Sequence, residues 1–171
     1  MMRSAIFVLA ALAALSVPAA FDSDGWLEKR RLMGKESARL RKAYASCVAK
    51  LQMPADDVTI PVDTHPDGSV KTIVNAKRAQ YFLKSGLVWA EGVVVRKHSQ
   101  DGSLDLRIEA ENCVIDRQSK SGWVDGRAKI VQGSTVFTGR NVFFSSPEEY
   151  VKVFRNVKLL TKDAKVGGIV P

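Results

Sequence analysis

Ile108-Glu109-Ala110-Glu111-Asn112-Cys113, followed by Trp123-Val124-Asp125-Gly126-Arg127, is the stretch that decides the fold. Thirty-four residues earlier the same order stands as Val74-Asn75-Ala76-Lys77-Arg78-Ala79 and Trp89-Ala90-Glu91-Gly92-Val93. A looser third copy follows as Phe137-Thr138-Gly139-Arg140-Asn141-Val142 and Val153-Phe154-Arg155-Asn156-Val157. Ala76 to Gly92 and Ala110 to Gly126 are both sixteen residues apart, and Gly139 to Asn156 seventeen. Three copies in register, with small residues at matching places, make an internal repeat. Each unit is a strand, a turn and a return strand, so the body is a stack of hairpins.

The outgoing strands carry a further signal. Apolar residues stand two before each anchor (Val74, Ile108, Phe137) and five after it (Tyr81, Ile115, Phe144), with Ala79, Cys113 and Val142 three after. The favoured parity therefore flips inside the strand. Side chains alternate with a period of two, so a regular strand cannot keep one face apolar across an odd step. A bulge or sharp bend restores it. Gly92, Gly126 and Asn156 are the counterparts in the return strands, because glycine and asparagine tolerate bends. Bent strands stacked side by side give a folded-over antiparallel sheet with an apolar inner surface.

Outward from the repeat, turn clusters recur at Lys84-Ser85-Gly86, Gln100-Asp101-Gly102-Ser103, Lys120-Ser121-Gly122, Gln132-Gly133-Ser134 and Ser145-Ser146-Pro147, as in an all-β domain. Upstream, His65-Pro66-Asp67-Gly68-Ser69 reads as another turn. Val58-Thr59-Ile60-Pro61-Val62 reads as an edge strand, since proline cannot donate to a ladder. Before Pro54 the period changes. Trp26, Met33, Leu40 and Cys47 recur every seven residues, with Tyr44, Val48 and Leu51 on the same side. The pattern predicts an amphipathic helix over Asp24–Met53, capped by Ser23 or Asp24 and stopped by Pro54.

Met1-Met2-Arg3, the apolar run Ala5–Val17 and the small-residue site Val17-Pro18-Ala19 have the order of a secretory signal. The alternative is a retained anchor, for which the 18 residues Ser4–Phe21 are at the short limit. The expected organisation is a signal peptide or anchor over 1–19, a helical segment over 20–55 and a β-domain over 56–171. The expected location is the periplasm, or the inner membrane's outer side if the leader is kept. Without Arg3 the chain has 25 basic and 18 acidic residues, a charge of +7. In an exported protein this points to an acidic glycolipid, a membrane surface or an anionic partner, and away from nucleic acid. The predicted helix Asp24–Met53 alone carries eight basic against three acidic residues.

Catalytic signatures are missing. No GxSxG elbow, HExxH, Walker loop or histidine-centred triad occurs. Glu109, Glu111 and Asp125 alternate along strands, where carboxylates are normally solvated. The expectation is a non-enzyme with no cofactor and no metal. Two cysteines, Cys47 and Cys113, without a CxxC pair, give no zinc motif. In an oxidising compartment they can form one disulfide; two buried free thiols are the alternative. Such a bond would tie helix to sheet, which favours a helix that caps one end of the sheet over one that docks on a partner or rests on a membrane.

The runs Glu91-Gly92-Val93-Val94-Val95, Ile108 to Asp116 and Val124-Asp125-Gly126-Arg127-Ala128 resemble the strands of the OstA-like family of lipopolysaccharide-transport proteins, the LptA/LptC type. The likeness covers roughly 70–162. It implies an open β-jelly-roll whose apolar groove holds the acyl chains of lipopolysaccharide, with related β-domains docking edge to edge. The long basic helix before the repeat and the small number of repeats depart from the plain bridging protein and approach the membrane-tethered LptC type.

On that reading the groove is lined by Val74, Tyr81, Ala90, Ile108, Ile115, Val124, Phe137, Phe144 and Phe154. Trp89 and Trp123 pack, or form lips at its mouth. Arg96, Lys97, Arg127, Lys129 and Arg140 meet phosphates at the rim. The docking edges are the strand near Val58 and the last strand, Tyr150 to Leu160, and the N-terminal segment is the candidate membrane contact. The rival is a cell-envelope scaffold module that uses the same sheet without lipid. A solid core without a cavity would favour it.

Overall fold

The structure, a computed structural model, describes residues 23–161. The expected leader lies outside these residues, as do the side chains of Ser23 and Asp24 expected to cap the helix. One helix, α1 (Ser23–Val48), precedes seven strands: β1 (Ala55–Thr64), β2 (Val70–Phe82), β3 (Leu87–His98), β4 (Leu104–Asp116), β5 (Ser121–Gln132), β6 (Thr135–Ser145) and β7 (Tyr150–Thr161). They form one antiparallel sheet in simple sequence order, from β1 at one edge to β7 at the other.

The turns carry the repeat further than the strands alone suggested. His65–Ser69 and Ser99–Ser103 close by the same bonds: His65 N and Ser99 N donate to the carbonyls four residues on. The amides of Ser69 and Ser103 each donate to an aspartate Oδ1 two residues back, both at 2.9 Å. A short carboxylate that caps its own backbone is why Asp-Gly-Ser turns the chain at both places.

The return strands bend at the expected residues. Gly92 and Gly126 have φ of +61° and +89°, and Asn156 has +53°. The ladders slip beside Gly126 and Asn156, between Ala110 and Asn112, Val124 and Arg127, and Thr138 and Arg140, while the pairing runs in register past Gly92. Val74, Ala76 and Ala79, an odd step apart, all enter one buried cluster. So do Ile108, Cys113 and Ile115.

The consequence is a sheet folded on itself. The start of β2 and the end of β6 belong to opposite ends of the meander, yet Thr72 and Ser146 hydroxyls bond at 2.7 Å. The two leaves face each other across the first cluster, which draws side chains from all seven strands.

The helix ends at Val48, before the expected Met53. Lys50 N and Leu51 N bond three residues back, to Cys47 and Val48, which tightens and closes the last turn. The amides of Gln52 and Met53 then donate to Gln80 Oε1 at 2.9 and 3.2 Å, steering the chain onto the sheet. The helix does not cap an end of the sheet as expected. It lies across the outer face over β3, β4 and β5. Leu40 and Cys47 are buried there with Leu87, Trp89, Val114, Trp123 and Phe143. Burial of each large side chain contributes roughly 1.5–3 kcal/mol. Arg39 adds an ion pair from the helix to Asp116 at the end of β4.

Candidate functional site: the closed trough between the leaves

The inner faces of the two leaves form an apolar trough. Val74, Ala90, Ile108, Ile115 and Val124 are fully buried in it and Phe144 nearly so. Phe137 is partly buried against the same cluster. Tyr81, 47% exposed, stands at a shallow opening of about 290 Å³ beside β1, with Val58, Ile60 and Val88. Sequence reasoning missed several linings, among them Val93, Val95, Ile130, Val151 and Val153. Even steps from the inward residues Val124 and Val153 reach Ile130 and Val151, while Val93 and Val95 need the parity flip at Gly92 as well.

Phe154 is a correction. It lies on the outer face, with its ring 5.2 Å from that of Trp123. The inward residue falls fourteen places after each anchor: Ala90, Val124 and Val153. The third repeat has seventeen rather than sixteen residues between anchor and bend, so counting back from Asn156 lands one residue too far. Trp89 and Trp123 are buried under the helix, on that same outer side.

Polar residues close the trough at one end. Asp63 of β1, itself buried, accepts bonds from Lys120 Nζ at 2.7 Å and Ser146 Oγ at 2.9 Å. Lys97 of β3 pairs with Glu149 at 2.9 Å. These contacts join the near ends of β1, β2 and β3 to the β4–β5 and β6–β7 turns of the facing leaf. We call this line of bonds the seam. Burial pushes the Asp63 carboxyl up, but the bonds from Lys120 and Ser146 outweigh it and hold the group below the usual carboxylate range. Glu149 is likewise depressed: burial opposes, and the Lys97 bond wins. Behind the seam, between Val95, Ile108 and Phe144, the free volume is only about 20 Å³. The trough is shut.

The cations expected at a rim take other places. Lys97 is engaged in the seam. Arg127, Lys129 and Arg140 come together on the outer face, around a concavity of about 580 Å³ that also holds Glu109 and Glu111. Arg127 is paired to Glu111 at 2.8 Å, and Arg96 donates to Asn75 Oδ1.

The two cysteines form no bond. Cys113 faces the trough and Cys47 the helix–sheet core, so the sheet itself separates them. Burial pushes the Cys113 thiol up to about 12 and raises that of Cys47. His65 Nε2 lies 3.0 Å from the His98 carbonyl, and no group of three or more metal-capable side chains gathers among the described residues.

Among the described residues β1 pairs only with β2 and β7 only with β6, so both edges of the sheet are open there. On the far half of β7, Leu159 and Leu160 are 54% and 65% exposed.

No family model matches the chain, and no curated protein matches it. Among solved structures it is similar to LptH, the LptA-homologous periplasmic component of the lipopolysaccharide transport device of Pseudomonas aeruginosa. The two share 9% identity at a TM-score of 0.48, over 64% of this chain and 94% of that one.

Proposed function

We propose that this chain is an exported lipopolysaccharide-handling module that takes acyl chains between its two leaves and docks by its sheet edges onto related β-domains. The observation that carries the reading is the inner face, apolar from β1 to β7 without a charged interruption except at the seam. Support also comes from the repeat, whose strands resemble the OstA-like pattern. A lipid with several acyl chains needs a long apolar trough, and burial of apolar surface at about 25 cal/mol per Å² is enough to hold it without charged contacts. The edges suit the second half of the proposal: unpaired backbone on β1 and β7 can accept another strand.

Acyl chains can enter the closed trough only if its two leaves part. A lipid stabilises the open state only by its differential affinity for it. The seam is the element that must part.

The test is to purify the mature protein from a lipopolysaccharide-producing host and extract it for mass spectrometry. Stoichiometric lipid A species, lost in Phe137→Asp, are the expected result. A folded, lipid-free protein that also takes up no added lipopolysaccharide would overturn the proposal. The tight interior is the one observation favouring the second reading, a cell-envelope scaffold, and that outcome would select it.

A further inference from the structure

The helix packs mainly over β3 to β5, with the outer face of β7 at its side. Between the flank of α1 and that face runs a cleft of about 600 Å³, a volume in the usual range for small-molecule sites. Its helical wall is kept low by Gly34 and Ala38. A Cβ at Gly34 would meet nothing within 4 Å, so helix and sheet do not touch there. The sheet wall is aromatic: Trp123 and, beside it, Phe154. The Trp123 indole N–H is buried with no acceptor among the described residues.

The rim has one sign. Arg41, Lys42 and Lys152 border the cleft, and no aspartate or glutamate does. On the same helix Arg39 is paired with Glu36 and Arg31 with Glu28. Here none of the three pairs with a described carboxylate. Lys152 instead lies over the Phe154 ring, 4.7 Å from its centre. Three cations with no described carboxylate partner, above an aromatic cleft, complement a molecule with an acidic head and an apolar tail; the other polar side-chain groups on its walls are Ser37, whose hydroxyl already donates to the Gly34 carbonyl, and the Trp123 indole N–H.

We propose that this cleft binds a single-chain anionic amphiphile. Its phosphate or carboxylate is held by Arg41, Lys42 and Lys152, and its first methylenes lie against Trp123 and Phe154. The site is on the opposite face of the sheet from the trough and does not depend on it.

Calorimetric titration of the full chain with dodecyl phosphate, below its micellar concentration, tests the site. One-to-one binding is expected. It should weaken at least tenfold in the double variant Lys42→Glu, Lys152→Glu, and vanish in Gly34→Leu, whose new side chain fills the cleft. The unfolding midpoint of Gly34→Leu should not fall, because leucine is a better helix former than glycine. Inorganic phosphate alone and uncharged dodecyl maltoside should bind at least tenfold more weakly. Undiminished binding in Gly34→Leu, equal binding of either comparator, or no binding of dodecyl phosphate would each overturn the proposal. Binding lost in Phe137→Asp but kept in Gly34→Leu would put the amphiphile in the trough, sinking this site while leaving the trough reading intact.

Discussion

Phe143 and Phe144 are neighbours on β6 and live in different cores. Phe143 is fully buried under the helix with Leu40 and packs near Tyr150, their ring centres 6.1 Å apart. Phe144 points the other way, between the leaves, over Gly122. The outer core is closed by one added element, which can leave without unpairing a strand. The inner core is closed by the bend of the sheet itself and by the seam. The lesson is that only the inner core is built into the ladder, so opening it and unfolding it draw on the same contacts.

The most severe way to break this contrast is charge. Ile108→Asp places a carboxylate where the side chain is fully buried and the nearby Lys97 is already paired with Glu149; it should cost about 4 kcal/mol or more and abolish the sheet. Leu40→Asp, equally buried but on the helix, should release α1 and leave the sheet's circular-dichroism signature. Urea unfolding followed by far-ultraviolet circular dichroism separates the two. Equal loss of strand signal in both would mean that the outer core is part of the sheet's stability after all.

Shape comes next. A methyl at Gly122 would run into the Phe144 ring. Gly122→Ala should therefore destabilise by about 1–3 kcal/mol, the usual cost of overpacking. A neutral result would reveal slack between the leaves, as a trough ready to open requires.

Asp63→Asn tests the seam. It removes the charge that Lys120 and Ser146 bind and turns one of the two acceptor oxygens into a donor, so it should cost about 1–3 kcal/mol at pH 7. The sign of the pH effect follows from the depressed carboxyl. Stability from Asp63 is complete above its unfolded value of about 3.9 and is lost as pH falls through the lower folded value. Wild type should thus weaken below about pH 4 more steeply than the variant. Parallel curves from pH 7 to 2 would show that Asp63 contributes nothing through its charge.

How much of this was legible beforehand follows from what repeats in the sequence. The bends at Gly92, Gly126 and Asn156 were readable because an odd step between small residues admits one geometric answer. The position of the helix was not readable. Its stripe of Met33, Leu40 and Cys47 demands an apolar surface but does not say which. The candidate surface was hidden in Trp89, Val114, Trp123 and Phe143, outward residues that a two-faced apolar strand makes look like more of the interior. Phe154 was misplaced by one residue of extra spacing. The seam was invisible, since Asp63, Lys97, Lys120 and Ser146 come from separate turns and strand ends with no shared pattern.

The smallest effect concerns the thiols. Both should be silent toward a thiol reagent in the native protein, being buried with their ionisation raised. Two free thiols should appear on denaturation without reductant. None appearing would mean that Cys47 and Cys113 are joined across the sheet.

The unbroken order from β1 to β7 carries a consequence for size. Because each strand pairs only with its neighbours in sequence, the molecule grows in one dimension, like a ruler marked in hairpins. Duplicating one 34-residue unit, such as the span from Ala76 to Ala110, would lengthen the sheet by two strand spacings, roughly 9–10 Å. Gene-level copying of a unit thus becomes a way to set reach.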